Sequence, residues 1–233
     1  MIKSNEQQDI QSILQQISDV LLMNGGFLGN PGLYNGDMGL ALFFARYARY
    51  TKNDFYLDYC YGLMEKLQTR IHRETTIDYK QGLSGIGATI EYLVQNGYFE
   101  ADTDEILEDF DRRIFFTYNL SYLAIDEIKD VGYYASWRLS GNSSQKEMIR
   151  QAILPQIENY SVFSSLCNKA IPNIFIDKTH KNCLELIDNN DFWRKDMGIM
   201  YGLAGWGISL LTELDGDNSW FPLFPNDFNI INK

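Results

Sequence analysis

The sequence predicts an all-α domain built of helical hairpins in two layers. Three observations predict it. A glycine block recurs at the start of apolar helices: Gly32-Leu33-Tyr34-Asn35-Gly36-Asp37-Met38-Gly39, then Gly82-Leu83-Ser84-Gly85-Ile86-Gly87, then Gly202-Leu203-Ala204-Gly205-Trp206-Gly207. Helices that are apolar all round alternate with amphipathic ones, as expected for a buried layer and a half-exposed layer. Alternating Val/Ile/Thr runs, the mark of half-buried strands, are missing.

The elements follow in order. Over residues 8–23, Ile10, Ile13, Leu14, Ile17, Val20 and Leu21 share one face of an amphipathic helix, which Asn24-Gly25-Gly26 ends. The first glycine block opens an apolar helix over roughly 37–50. A turn at Thr51-Lys52-Asn53-Asp54 supplies Asn53 or Asp54 as the cap of an amphipathic helix over 54–72. The second block opens a buried helix that runs towards Gly97. A helix over 102–117 starts at Asp102 or Thr103, with acids in its first turn where the helix dipole favours them. Gly132-Tyr133-Tyr134 reads as a degraded third block. Helices are expected near 145–153, 156–170 and 180–190, with Pro155 and Pro172 as breaks. The third full block opens the last helix, and the chain beyond Asp215 reads as irregular, packed by Trp220, Phe221 and Phe224. With no linker in sight, residues 1–233 are expected to form a single domain, with repeat starts near 32, 82, 132 and 202.

Composition limits the function classes. With 45% apolar residues and 14% aromatics, the 233-residue chain can bury a sizeable core. Its net charge of −11 argues against nucleic acid and anionic membranes as partners, since both attract basic surfaces. Cys60, Cys167 and Cys183 are odd in number and widely spaced, unlike a disulfide framework. The polar start, Met1 to Asp9, lacks an apolar signal core, and a cytoplasmic protein without a cofactor is expected.

Glycine costs about 1 kcal/mol inside a helix, so repeated glycines need a packing or binding reason. One reading is the close approach of crowded helix ends. The other is an anion held by free N–H groups at the helix starts. The blocks are not phosphate loops, because neither a preceding strand nor a following Gly-Lys-Ser/Thr is present.

At these blocks the chain resembles the lanthionine synthetase C-like family, peptide cyclases with an α/α toroid fold. Gly32 to Phe44, Gly82 to Gly87 and Gly198 to Leu211 carry the likeness. The resemblance extends over 28–118 and 196–224. It implies seven inner helices, whereas this chain has room for four or five, an incomplete or small α/α barrel. It also implies a zinc held by the cysteine of a Trp-Cys-Tyr-Gly block and by an adjacent Cys-His pair. Here Ser136-Trp137-Arg138 puts arginine after the tryptophan, and Met200-Tyr201-Gly202 puts Met-Tyr where Cys-His stands. Neither substitute replaces a thiolate or an imidazole, so no zinc ligand carries over.

The candidate cavity or ligand-binding residues are Asp37, Ser84, Tyr133, Trp137, Arg138, Tyr201 and Trp206. Asp37 reads as a cap or a cavity acid, and Arg138 as a surface arginine or a binder of carboxylates. Cys167, His180 and Cys183 form the local Cys/His cluster; Cys60 and His72 lie far from it. The acids of 102–111 read as a solvated helix face. These readings favour a non-catalytic relative of the cyclases that binds a peptide, or a modifying enzyme of a peptide-modification pathway. The alternative is an enzyme, cyclase-like or an α/α-toroid hydrolase. A hydrolase needs paired carboxylates, and Asp37 with Asp130 or Glu91 is the pair to test.

Overall fold

The computed structural model describes residues 4–117, 119–158, 196–200 and 202–224. Among them every regular element is helical, so the all-α expectation holds. Helix α1 (Ser4–Asn24) leads through a short 3₁₀ turn, Gly25–Phe27, to α2 (Asp37–Thr51) and α3 (Asp54–Arg70). Then come α4 (Leu83–Gln95), the short α5 (Thr103–Ile106) and α6 (Glu108–Asp111), and a π-helical turn, Arg112–Thr117. After a 3₁₀ turn at Leu120–Tyr122 follow α7 (Ile125–Ser140), α8 (Lys146–Glu158) and α9 (Leu203–Asp215). The tail holds a 3₁₀ turn, Phe221–Leu223. No helix among the described residues is long and apolar enough to cross a membrane.

The two layers are present. Every residue of α2 from Asp37 to Ala48 and of α4 from Leu83 to Leu93 is buried. In α3 only Tyr56, Cys60, Leu63 and Leu67 are buried, a stripe at helical spacing on one face. The apolar face read for α1 is buried throughout, from Ile10 to Leu21. The inner helices adjoin in the order α9, α2, α4, α7; α3 backs α2, α8 backs α7, and α1 lies on α9. Trp220 closes the tail onto α9 by donating Nε1–H to Thr212 Oγ1 at 2.8 Å.

Four details differ from the sequence reading. The capping glycines are Gly36, Gly82 and Gly202, so the first repeat starts four residues after Gly32. Gly132 lies inside α7, which begins after Ala124, where Glu127 Oε2 accepts the Ala124 N–H at 2.8 Å. The single helix expected over 102–117 breaks at Leu107, whose buried side chain fills the core, and ends in the π-turn. There Thr117 Oγ1 donates to Arg112 O at 3.1 Å. Helix α8 runs through Pro155, which sits near its described end with its ring exposed, so the lost N–H bond is tolerated. The helices expected over most of 156–170 and over 180–190 lie outside the described residues.

Candidate functional site

The starts of α2, α4 and α9 share one construction. The first N–H groups of a helix lack intrahelical acceptors. Here they are taken by carbonyls seven residues upstream: Asp37 N to Asn30 O (2.9 Å), Leu83 N to Thr76 O (2.9 Å) and Leu203 N to Asp196 O (2.7 Å). Met38 N bonds Pro31 O and Ala204 N bonds Met197 O in the same register. The loop therefore folds back over its own helix, and the glycines give it room. A Cβ on Gly39, Gly85 or Gly205 would lie 2.4, 1.8 or 1.9 Å from the carbonyl oxygen of Leu33, Tyr79 or Ile199. At α2 and α9 the first donors are occupied, so those helix starts do not offer the anion site considered from sequence, and close packing explains the glycines of all three blocks.

The three loops are also joined to one another through Tyr34. Its N–H donates to Lys80 O (2.9 Å), and its carbonyl accepts from Ile199 N (2.7 Å) and Met200 N (3.2 Å). Lys80 Nζ stands over the Tyr34 ring, whose other neighbours include Phe224.

Most of the sequence-predicted polar site residues are engaged internally. Asp37 is fully buried, yet it neither caps α2 nor faces a cavity. Gly36 is the cap, and the Asp37 carboxylate pairs with Lys66 (3.0 Å) and Arg70 (2.7 Å) of α3, tying the layers together. Lys66 also donates to Gly26 O, and Arg70 to Leu28 O. Ser84 donates to Ile77 O at 2.5 Å, again seven residues upstream. Tyr133 and Trp137 are half-buried, edge-on to Tyr79 and Tyr92 respectively. Trp206 is half-buried in the first turn of α9. Tyr201, Cys167, His180 and Cys183 lie outside the described residues.

Arg138 is a buried hub. All five of its N–H donors meet acceptors. Nε faces Asp111; Nη1 meets Glu91 Oε1 and Thr103 Oγ1; Nη2 meets Asp104 Oδ1 (2.7 Å) and Asp111 Oδ2 (2.6 Å). Tyr134 adds an O–H to Asp111 Oδ1 at 2.6 Å, and Ser143 and Ser144 hold Asp104. The arginine thus binds carboxylates, as sequence allowed, but they belong to its own chain. The acids of 102–111 are accordingly not all solvated: Asp104 and Asp111, seven apart, turn the same way, which is the signal a sequence reading had available. Burial raises the Asp111 carboxyl, and the bonds from Arg138 and Tyr134 only partly oppose it. Burial acts on Asp104 in the same direction, but bonds from Ser143, Ser144 and Arg138 outweigh it and hold that carboxyl well below the usual range.

Sequence reasoning missed a second hub. Arg46, buried in α2, donates to Thr212 Oγ1 (3.1 Å), Asp215 and Asp217 O, fastening α9 and the tail. The proposed acid pairs do not form: Asp37 is neutralised from α3 and Glu91 by Arg138. Asp130 stands apart on α7, half-buried; burial pushes its carboxyl up to about 6, with Asp78 adding to the shift. Burial likewise pushes the Cys60 thiol up to about 12.

Residues 28–122 match the family model of the lanthionine synthetase C-like proteins. The match covers 95 of the 233 residues and shows a likeness to that family over this segment. The matched lanthionine synthetase C-like segment holds the first two glycine blocks, α2 to α4 and the π-turn; α7 and α9 lie beyond it. No curated protein and no solved structure matches the chain.

The zinc implied by the resemblance does not fit the described residues at the matching positions. Arg138, in the place after Trp137, is a cation whose donors are all used, and Met200, where the resemblance puts cysteine, is a buried thioether. Among the described residues no group of three or more His, Cys, Asp or Glu could hold a metal ion.

Proposed function

We propose that this lanthionine synthetase C-like chain binds a peptide, or a modifying enzyme that acts on one, without closing lanthionine rings itself. The observation that carries this reading is Arg138. A guanidinium saturated by Glu91, Asp104 and Asp111 sits where the resemblance puts a zinc-bound thiolate. A buried charge so engaged is a fixed structural post, because removing any partner leaves an uncompensated ion. Tyr133, Trp137 and Trp206 keep part of their ring surface exposed and are the contacts proposed for the peptide, since aromatic rings recognise peptides with little loss of side-chain freedom. The hydrolase alternative loses support because Asp37 and Glu91 are neutralised separately, by α3 and by Arg138.

The test mixes the purified chain with a cysteine-bearing dehydrated peptide, with and without added zinc. Peptide thiols are counted by alkylation and mass spectrometry, and binding is followed by fluorescence anisotropy. The expected result is binding without consumption of thiols. Zinc-dependent loss of thiols, or one zinc per chain surviving dialysis, overturns the reading.

A further inference from the structure

A cleft on the outer layer has no role in the reading above. It encloses about 580 Å³ between the chain segment after α3 and the α6–π-turn segment. That volume lies in the range of small-molecule sites. Its walls include Ile71, His72, Arg73, Asp109, Arg112 and Arg113. On a chain of net charge −11, the described lining residues, three arginines against one aspartate, carry a formal charge of +2, counting His72 as neutral.

The three arginines differ in what holds them. Arg113 is a brace: Nη2 donates to the carbonyls of His72 (3.0 Å), Arg73 (3.1 Å) and Thr75 (2.9 Å). It fixes one wall against the other. Arg112, on the π-turn, is exposed and bonded to Asp109. The exposed Arg73 guanidinium has no hydrogen-bond or ion-pair partner among the described residues. One wall is therefore a rigid loop that carries a free planar cation. The other is a π-turn, a distortion found often at functional sites, that carries a second cation.

We infer that this cleft binds a phosphate group of a phosphorylated small molecule, with Arg73 and Arg112 as its ligands and Ile71 packing the ligand's apolar part. The formal charge of +2 matches a phosphate monoester, which carries about −1.5 to −2 at pH 7. Guanidinium forks suit its oxygens. A single carboxylate would leave the cleft charge half compensated. The site is separate from the residues of the proposed function, so it stands or falls independently.

The test measures binding of inorganic phosphate and phenyl phosphate by calorimetry at low salt, with succinate as the carboxylate control. Wild type is expected to bind both phosphates and to bind phenyl phosphate more tightly. Arg73→Ala, which removes a side chain without structural partners, is expected to weaken binding about tenfold, the loss of one charge-assisted contact. Arg73→Ala/Arg112→Ala is expected to abolish it. No heat of binding in wild type, equal binding by Arg73→Ala and wild type, or succinate binding as tightly as phosphate overturns the inference.

Discussion

Replacing Gly85 with alanine tests whether the folded-back loops hold the inner layer together. A methyl there would sit 1.8 Å from Tyr79 O, a backbone atom that cannot swing aside as a side chain would. Relief requires moving the loop off α4. That motion strains Leu83 N to Thr76 O (2.9 Å), Gly82 N to Asp78 O (3.1 Å) and Ser84 Oγ to Ile77 O (2.5 Å). At about 1 kcal/mol each, their loss costs about 3 kcal/mol. Alanine returns about 1 kcal/mol of helix propensity, which leaves a net loss of about 2 kcal/mol. For a chain of this size that lowers Tm by about 4–8 °C. Gly62 is the control: it lies exposed in α3, and an added Cβ meets nothing within 4 Å. Gly62→Ala is therefore expected to raise stability by about 0.5–1 kcal/mol. Thermal melts followed by circular dichroism at 222 nm read both. If Gly85→Ala melts at or above the wild-type temperature, the close-approach argument for the glycine blocks is wrong.

Three other outcomes are expected. Arg138→Met strands Glu91 and Asp111 as buried carboxylates; urea unfolding at pH 7 should show a loss of about 3–5 kcal/mol, and a loss under about 1 kcal/mol would contradict the hub. Asp130 has a folded carboxyl raised to about 6, so the stability it contributes is present below its unfolded value near 4 and is lost as pH rises through 6. Asp130→Asn should thus be neutral near pH 4 and stabilising by about 1 kcal/mol at pH 7.5, the shift being discounted for solvent at this half-buried site. In a Cys167→Ser/Cys183→Ser chain, burial of Cys60 should prevent its reaction with a thiol reagent until urea unfolds the protein; rapid native labelling would show that the α2–α3 interface opens.

Helix identity and layering were legible because they depend on local patterns. The period of Ile10 to Leu21 and the apolar runs of α2 and α4 left no polar face to place outside. The repeat register was not legible. Gly32 and Gly36 both fit the block, and only the seven-residue hydrogen bond shows that Gly36 is the cap. Gly132 misled because a buried helix can hold glycine in its interior as well as at its start, and spacing alone does not separate the two uses. The fates of Asp37, Glu91 and Arg138 depended on partners 29, 47 and 27 residues away, respectively Lys66, Arg138 and Asp111. No local window contains such pairs, so a sequence reading left them as free candidates.

The Tyr34 peptide group carries a kinetic consequence. One of its bonds is made to Lys80, the others to residues near 200. During synthesis the first becomes available early, while the second waits for about 165 further residues, roughly 8–30 s at ribosomal speeds. For that interval the side of α2 where Phe43 nests against Gly207 is without α9. A nascent chain would carry that uncovered aromatic flank until α9 emerges, so a segment made late shields one made early from aggregation.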